Sequence, residues 1–306
     1  MNLSTSNSER RFMKISVACD GSEHSQNAVK MATSLPFKNP ELTLVHVVSP
    51  VLYDPEFVSD ESQKQIELFN KDLHKQGQKI LDDCAKTLEG SQDKVSQSLL
   101  TGYPSECLSE VSAQCDLMIL GARGVNPVQS LFLGSVADHL VRYAPCPVLV
   151  CRNQAPVPEN HTIESMVAGI DGSKMSRKIL EFLACFDAGK IKNIHLVSAL
   201  KKNFYFGISY SEEESNLWGS HKKDIETQLS DGSDFLKKKL PESQISTHLL
   251  DHVSDISSAL TEFCHKQKSE ILVTGSHGKD LMDRILLGSV SWKLAHQSDF
   301  PLLIVR

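Results

Sequence analysis

The feature that most constrains this chain is a repeat of itself. The segment Ile15 to Ser22, ISVACDGS, returns as Met166 to Ser173, MVAGIDGS, so that Asp20 and Asp171 hold equivalent places 151 residues apart. Further on, Gly121-x2-Gly124-x9-Gly134-Ser135 returns as Gly275-x2-Gly278-x9-Gly288-Ser289 at an offset of 154. A pattern repeated at this distance means two copies of one domain rather than one large fold. The length of 306 residues agrees, being about twice that of a common single domain. The repeat places one domain at residues 12–152 and the other at 165–306. Residues 153–164, with Pro156 and Pro158, form a linker too short to let the halves separate by more than about 45 Å.

Both halves run through the same order of elements. An apolar strand ends in Asp-Gly-Ser, and a stretch of helical period follows, Ala28 to Leu35 or Ile179 to Phe186. Second strands are expected at Leu42 to Val48 and Ile194 to Leu200. A long amphipathic helix comes next, with Ile66, Phe69, Leu73, Ile80, Cys84 and Leu88 mostly on one face, and Leu217, Ile225, Leu229, Leu236 and Leu240 in the other copy. Third strands fall at Val95 to Leu100 and Ile245 to Leu250, each followed by a helix. Fourth strands, Leu117 to Leu120 and Ile271 to Thr274, run into the glycine loops, helices start at Ser135 and Ser289, and fifth strands occupy Pro147 to Cys151 and Pro301 to Val305. Continuously apolar strands alternating with helices specify a parallel sheet covered on both faces. The fold class is therefore α/β, with two tandem doubly wound five-stranded parallel-sheet domains.

Composition narrows the function. With 40% hydrophobic and 23% charged residues and a net charge of −6, the chain is an ordinary globular protein lacking the basic surface of a nucleic-acid binder. The run Lys237 to Lys239 reads as a solvated helix face. Eight scattered cysteines without C-x-x-C or zinc spacing read as small buried hydrophobes in a reducing cell, which places the protein in the cytoplasm. No apolar run is long enough to span a bilayer. His248 and His252 are expected to straddle a strand end, an arrangement unsuited to a metal pair.

In open parallel sheets ligands sit beyond the carboxyl ends of the strands, where strand order reverses. Asp20, Asp171 and both glycine loops belong at that place. Glycines at the entry and exit of a strand-to-helix loop let main-chain N–H groups approach an anion, and the helix start adds unpaired donors and partial positive charge. Ser135 and Ser289 stand where an N-cap hydroxyl would. Arg123 in the first loop, and His277, Lys279 and Arg284 in the second, supply basic neighbours. A purely structural reading is also open, in which Gly121 and Gly275 serve tight turns, Gly134 and Gly288 allow close helix packing, and Asp20 and Asp171 cap the following helices.

The pattern G-x2-G-x9-G-[ST], present twice as GARGVNPVQSLFLGS and GSHGKDLMDRILLGS, resembles the ATP-binding signature of the universal stress protein family. Asp-Gly-Ser after strand 1, His46-Val47 on strand 2 and Tyr143-Ala-Pro-Cys-Pro-Val-Leu-Val before strand 5 are similar to that family as well. The resemblance implies ATP, or AMP or ADP, as the ligand, with Mg²⁺ bridging phosphates. It implies that Asp20 lies near ribose and adenine, Val47 against adenine, and Gly121, Gly124, Gly134 and Ser135 around phosphates. The second set is Asp171, Ala199, Gly275, Gly278, Gly288 and Ser289. Ser198-Ala199 departs from the usual His-Val, which loosens the second adenine wall, whereas Val125 and Ser130 make the first loop less basic than the second. The family also implies edge-to-edge pairing of fifth strands, here an intramolecular pseudo-dimer, with further homodimerisation open.

No P-loop, general base or Ser-His-Asp arrangement is present. The chain therefore reads as a nucleotide-binding sensor or regulator of a stress response, without catalytic residues. A weak ATPase or self-phosphorylating enzyme, and a nucleotide-free scaffold of the same fold, are the alternatives.

Overall fold

The computed structural model describes residues 13–88, 94–125, 133–152, 161–201, 212–278 and 287–306, with side chains left out over 212–218. Most of the expected linker, Ser130, Lys279, Arg284 and the Leu217 side chain lie outside the described residues.

The first half consists of β1 (Lys14–Ala18), α1 (Glu23–Ser34), β2 (Glu41–Val48), α2 (Asp60–Lys86), β3 (Lys94–Thr101), α3 (Pro104–Ser112), β4 (Leu117–Gly121), α4 (Ser135–Tyr143) and β5 (Val148–Cys151). The second repeats it as β6 (Ser165–Gly169), α5 (Lys174–Leu183), β7 (Asn193–Lys201), α6 (Glu212–Lys239), β8 (Gln244–Val253), α7 (Ile256–Gln267), β9 (Ile271–Gly275), α8 (Ser289–Gln297) and β10 (Leu302–Val305). Helix starts follow local chemistry. The hydroxyls of Ser22, Ser59 and Ser173 accept from the amides of Ser25, Ser62 and Ser176, and the Asp255 carboxylate accepts from Ser258, in each case satisfying an amide that has no partner inside the helix.

The strands form one ten-stranded sheet in the order β3-β2-β1-β4-β5-β10-β9-β6-β7-β8. Within each half every pair is parallel; β5 and β10 pair antiparallel, Val150 opposite Leu302, Leu149 opposite Leu303 and Val148 opposite Ile304. The fifth strands thus join the halves within the chain. Four strands near the middle, LMIL of β4, VLVC of β5, ILVT of β9 and LLIV of β10, are buried throughout, which is why they carry no polar alternation. The edge strands β3 and β8 are richer in polar, half-exposed side chains, which suits strands with an open side.

Helices cover both faces. Side chains of α1, α2, α5 and α6 build one core layer across both halves, and those of α3, α4, α7 and α8 build the other. Phe37 of the first half is buried against Phe182 and Phe186 of the second, at centroid distances of 6.0 and 4.7 Å. Both separations lie in the range where aromatic pairs add to simple burial. Main-chain bonds cross here too, from Ile163 to Ser34 and from Asp187 to Pro36.

Three expectations need correction. Phe69 does not share the buried face of α2 but is half exposed, because the amino-terminal turns of that long helix run beyond the sheet; Gly77, Leu81 and Cys84 are its buried residues. The cysteines are not uniformly buried, for Cys185 is exposed and Cys107 and Cys115 are intermediate. His248 and His252 do not straddle a strand end, since β8 continues through Val253; His248 stacks instead near His195 and Phe263. Lys237, Lys238 and Lys239 are exposed on the last turn of α6. No described helix is long and apolar enough to cross a membrane.

Candidate functional site

Strand order in the first half reverses between β1, which continues to β2, and β4, which continues to β5. The carboxyl ends of β1 and β4 therefore diverge into loops on opposite faces and leave a crevice between them. A cavity of about 310 Å³ fills it, at the small end of the range for ligand pockets. Asp20, Val47, Gly121, Arg123, Gly124, Gly134 and Ser135 all line it.

Its walls differ in chemistry. Ala18, Val45, Val47, Pro104, Leu108 and Leu120 make an apolar side. Opposite them stand the glycine loop and the start of α4, whose N-cap is Gly134 with no side-chain hydrogen bond. Ser135 is thus the first residue of the helix and exposed, not its cap. The same correction holds for Ser289, exposed on α8 behind the N-cap Gly288. A glycine cap has no side chain to accept from the first helical amides, so these donors face the crevice, where the helix field favours an anion.

The glycine roles in the structural reading also change. A Cβ on Gly121 would lie 2.6 Å from His24 Cβ, and one on Gly275 would lie 2.6 Å from Met175 Cγ. These two glycines let α1 and α5 pack onto the strand ends; they do not sit at positive φ. Gly124 and Gly278 meet the aspartates instead, since a Cβ there would approach Asp20 Oδ2 to 2.7 Å and Asp171 Oδ2 to 2.6 Å. Nor do the aspartates cap the helices. Asp20 Oδ1 accepts from the Ser22 amide at 3.0 Å and its hydroxyl at 2.6 Å, while Asp171 Oδ1 accepts from the Ser173 amide at 2.9 Å and the Ser176 hydroxyl at 2.8 Å. Each carboxylate braces its own Asp-Gly-Ser turn and turns its second oxygen toward the glycine loop.

Main-chain bonds fix both loops in the same way. Ala122 donates to Cys151 and receives from Gly134, both at 2.8 Å; Ser276 donates to Val305 at 2.8 Å and receives from Gly288 at 2.6 Å. In the second half Asp171 meets Gly278, and Gly275, Gly288 and Ser289 hold the matching places at the end of β9 and the start of α8, where strand order again reverses. His277 stands in that loop, its Nδ1 3.0 Å from the Ser276 hydroxyl, and Ala199 lies half-buried on β7. Above Gly172, at φ +76°, the Gln228 side chain from α6 occupies the space a Cβ would take.

Several lining residues are legible only in three dimensions. His46 Nδ1 lies 2.6 Å from the Cys19 carbonyl, and since a carbonyl only accepts, that nitrogen carries the proton. Cys19, Ser25, Pro104 and Leu108 come from three separate elements and share no spacing signal. Burial first, then Arg123, pushes the His24 imidazole below its ordinary range, and the buried Arg152 is lowered to about 10 by burial and then by Arg123. Among the described residues no group of three or more His, Cys, Asp or Glu is placed to hold a metal.

The universal stress protein family model matches residues 11–152 and 162–306. A universal stress protein of Mycobacterium tuberculosis is 28% identical over 310 residues, covering 95% of this chain and 94% of its own. Another from the same organism is 25% identical over 304 residues, covering 97% and 98%. In fold, the chain is similar to the crystal structure of a universal stress protein from Archaeoglobus fulgidus, with a TM-score of 0.61 at 15% identity and coverage of 96% and 98%.

Proposed function

The chain belongs to the universal stress protein family, and on that footing we propose that it binds ATP, or AMP or ADP, and acts as a nucleotide-dependent regulator of a stress response. One observation carries the reading. The first crevice joins an apolar wall, against which a planar base would pack, to an uncapped helix start and close-approach glycines suited to phosphates. Val47 would lie against the base. Asp20 would accept from the ribose hydroxyls, and Gly124, Gly134 and Ser135, with Arg123, would hold the phosphate chain. The second crevice repeats the anion cradle with Asp171, Gly278, Gly288 and Ser289, and adds His277.

The donor set fits a nucleotide phosphate better than a metal cage. Mg²⁺ would accordingly arrive with the ligand, its oxygen ligands drawn mainly from phosphates and water. Among the described residues no lining side chain is arranged as a nucleophile with its base, and the reading takes hydrolysis to be at most slow. Calorimetric titration with Mg-ATP tests the reading. Saturable heat with Kd below about 1 mM, together with turnover near background, is the expected result; no heat and no thermal stabilisation at millimolar nucleotide would remove it.

A further inference from the structure

Away from both crevices, two thiols meet at the amino ends of adjacent strands. Cys115 precedes β4 and Cys146 precedes β5, strands paired in parallel with Met118 opposite Val148. Their sulfurs are 3.8 Å apart, in van der Waals contact, and both are reduced. Extending the register sets Cys115 one position out of step with Cys146, and with strands about 4.8 Å apart and about 3.3 Å per residue their Cα atoms fall about 6 Å apart, within the separation that a disulfide spans. The bond therefore requires side-chain rotation and not strand movement. In the second half the equivalent positions are Ser269 and Phe300, so the pair belongs to the first half alone.

We propose that Cys115 and Cys146 form a peroxide-responsive dithiol, with Cys115 the attacking sulfur and Cys146 the resolving one.

Exposure divides the roles, for Cys115 is half-buried and Cys146 is only 6% exposed. Acidity agrees. Although burial opposes it, the hydrogen bond shared by the two sulfurs, with help from Ser16 and the Leu117 amide, lowers Cys115 to about 7. Cys146 is correspondingly pushed up by that bond and by burial. Thiolate at neutral pH is the species that attacks peroxide. In the first step the Cys115 thiolate takes one peroxide oxygen and becomes a sulfenic acid, while the other leaves as water with the proton held by Cys146. In the second, the Cys146 thiolate so formed attacks Cys115, the S–S bond forms, and the sulfenic oxygen departs as hydroxide, which takes from solvent the proton that Cys115 released on ionising. Two thiols and one hydrogen peroxide thus give one disulfide and two waters.

The position ties the pair to the junction between halves. Extending the antiparallel register of β5 and β10 sets Arg306 level with Cys146; burial lowers the Arg306 guanidinium, and Cys146 opposes that shift. The Arg306 guanidinium also donates to the Val141 carbonyl on α4, while its buried Nε has no partner among the described residues.

The test uses the reduced full-length chain with stoichiometric hydrogen peroxide, followed by alkylation, digestion and mass spectrometry. The expected product has lost two hydrogens and yields a linked peptide pair containing Cys115 and Cys146. Alkylation of Cys115 against pH should have its midpoint near 7, well below that of Cys185, whose thiol is pushed up by partial burial and then by Asp116. Cys146→Ser should convert the product into a dimedone-reactive sulfenic acid on Cys115. Because Cys146 is buried, Cys115→Ser is the second variant, and it should yield neither the bond nor an adduct on Cys146. A disulfide between other cysteines, Cys115 driven to sulfinic acid without a cross-link, or a Cys115 midpoint no lower than that of Cys185 would each overturn the assignment.

Discussion

Arg152 and Arg306, which follow the two paired fifth strands, reach across the junction in mirrored fashion. Arg152 donates to the Ala295 carbonyl on α8 and Arg306 to the Val141 carbonyl on α4. Donors and acceptors are each 154 positions apart, the offset of the glycine repeat, so the junction is built as an isologous interface between two copies would be. His296 adds a contact to Asp138 at 3.4 Å, without a counterpart on the other side because Trp292 stands where Asp138 would recur.

Arg306→Met should leave the Val141 carbonyl without its donor and lower stability by about 2 kcal/mol. Arg152→Met should cost a similar amount. Since the two contacts lie at opposite ends of β5 and β10, the double variant should cost about their sum. Urea denaturation followed by circular dichroism measures all three.

Gly124→Ala would set a Cβ 2.7 Å from Asp20 Oδ2, and Gly278→Ala one 2.6 Å from Asp171 Oδ2. The carboxylate must give way in each case. Each variant should weaken Mg-ATP at its own crevice by roughly tenfold, about 1.4 kcal/mol, and leave the other crevice unchanged. Calorimetry on both single variants also assigns the stoichiometry to individual halves.

Removing Leu302 to Arg306 takes out β10, whose four residues are at most 2% exposed and pair on both sides. Each buried aliphatic side chain contributes roughly 1.5 to 3 kcal/mol, so the deletion approaches the whole stability of a domain. It should aggregate or bind a hydrophobic dye; a monodisperse truncated protein with unchanged melting would contradict the arrangement.

His195 and His248 flank the Ser246 hydroxyl at 2.8 and 2.9 Å and pack on Phe263. Burial is the first cause lowering both imidazoles, followed by His248 for His195 and by Lys266 for His248. The folded state therefore binds these protons less well than the unfolded chain. Stability is fully present above the ordinary histidine range near 6.5 and declines as pH falls through it toward the lowered folded values. His248→Gln should flatten the melting temperature between pH 7 and pH 5, and an unaltered slope would show that other groups govern it.

Much of this architecture is legible in the residues. Buried strands such as LMIL and LLIV announce themselves because burial on both faces removes alternation, and the duplicated glycine spacing survives because helices and loops of one size must pack on one sheet. The outlying turns of α2 are not legible in that way. Phe69 continues the helical period, and only the length of the sheet decides that it has nothing to cover. Caps also escape a linear reading, since Ser135 and Gly134 are both acceptable at a helix start and the choice depends on where the Ala122 carbonyl binds the loop. The partners of Val47 in the cavity wall, Pro104 and Leu108, come from an element 57 or more positions away and carry no mark of that meeting.

The antiparallel seam between β5 and β10 has one more implication. Two such domains on separate chains would find each other only at sufficient concentration, and each would always face an identical twin. Carried on one polypeptide, the pair survives any dilution and has fixed one-to-one stoichiometry. A change on either side then meets an unchanged surface opposite, so the crevice with Gln228 over Gly172 and the crevice with His46 beside Cys19 are free to specialise while the seam stays intact.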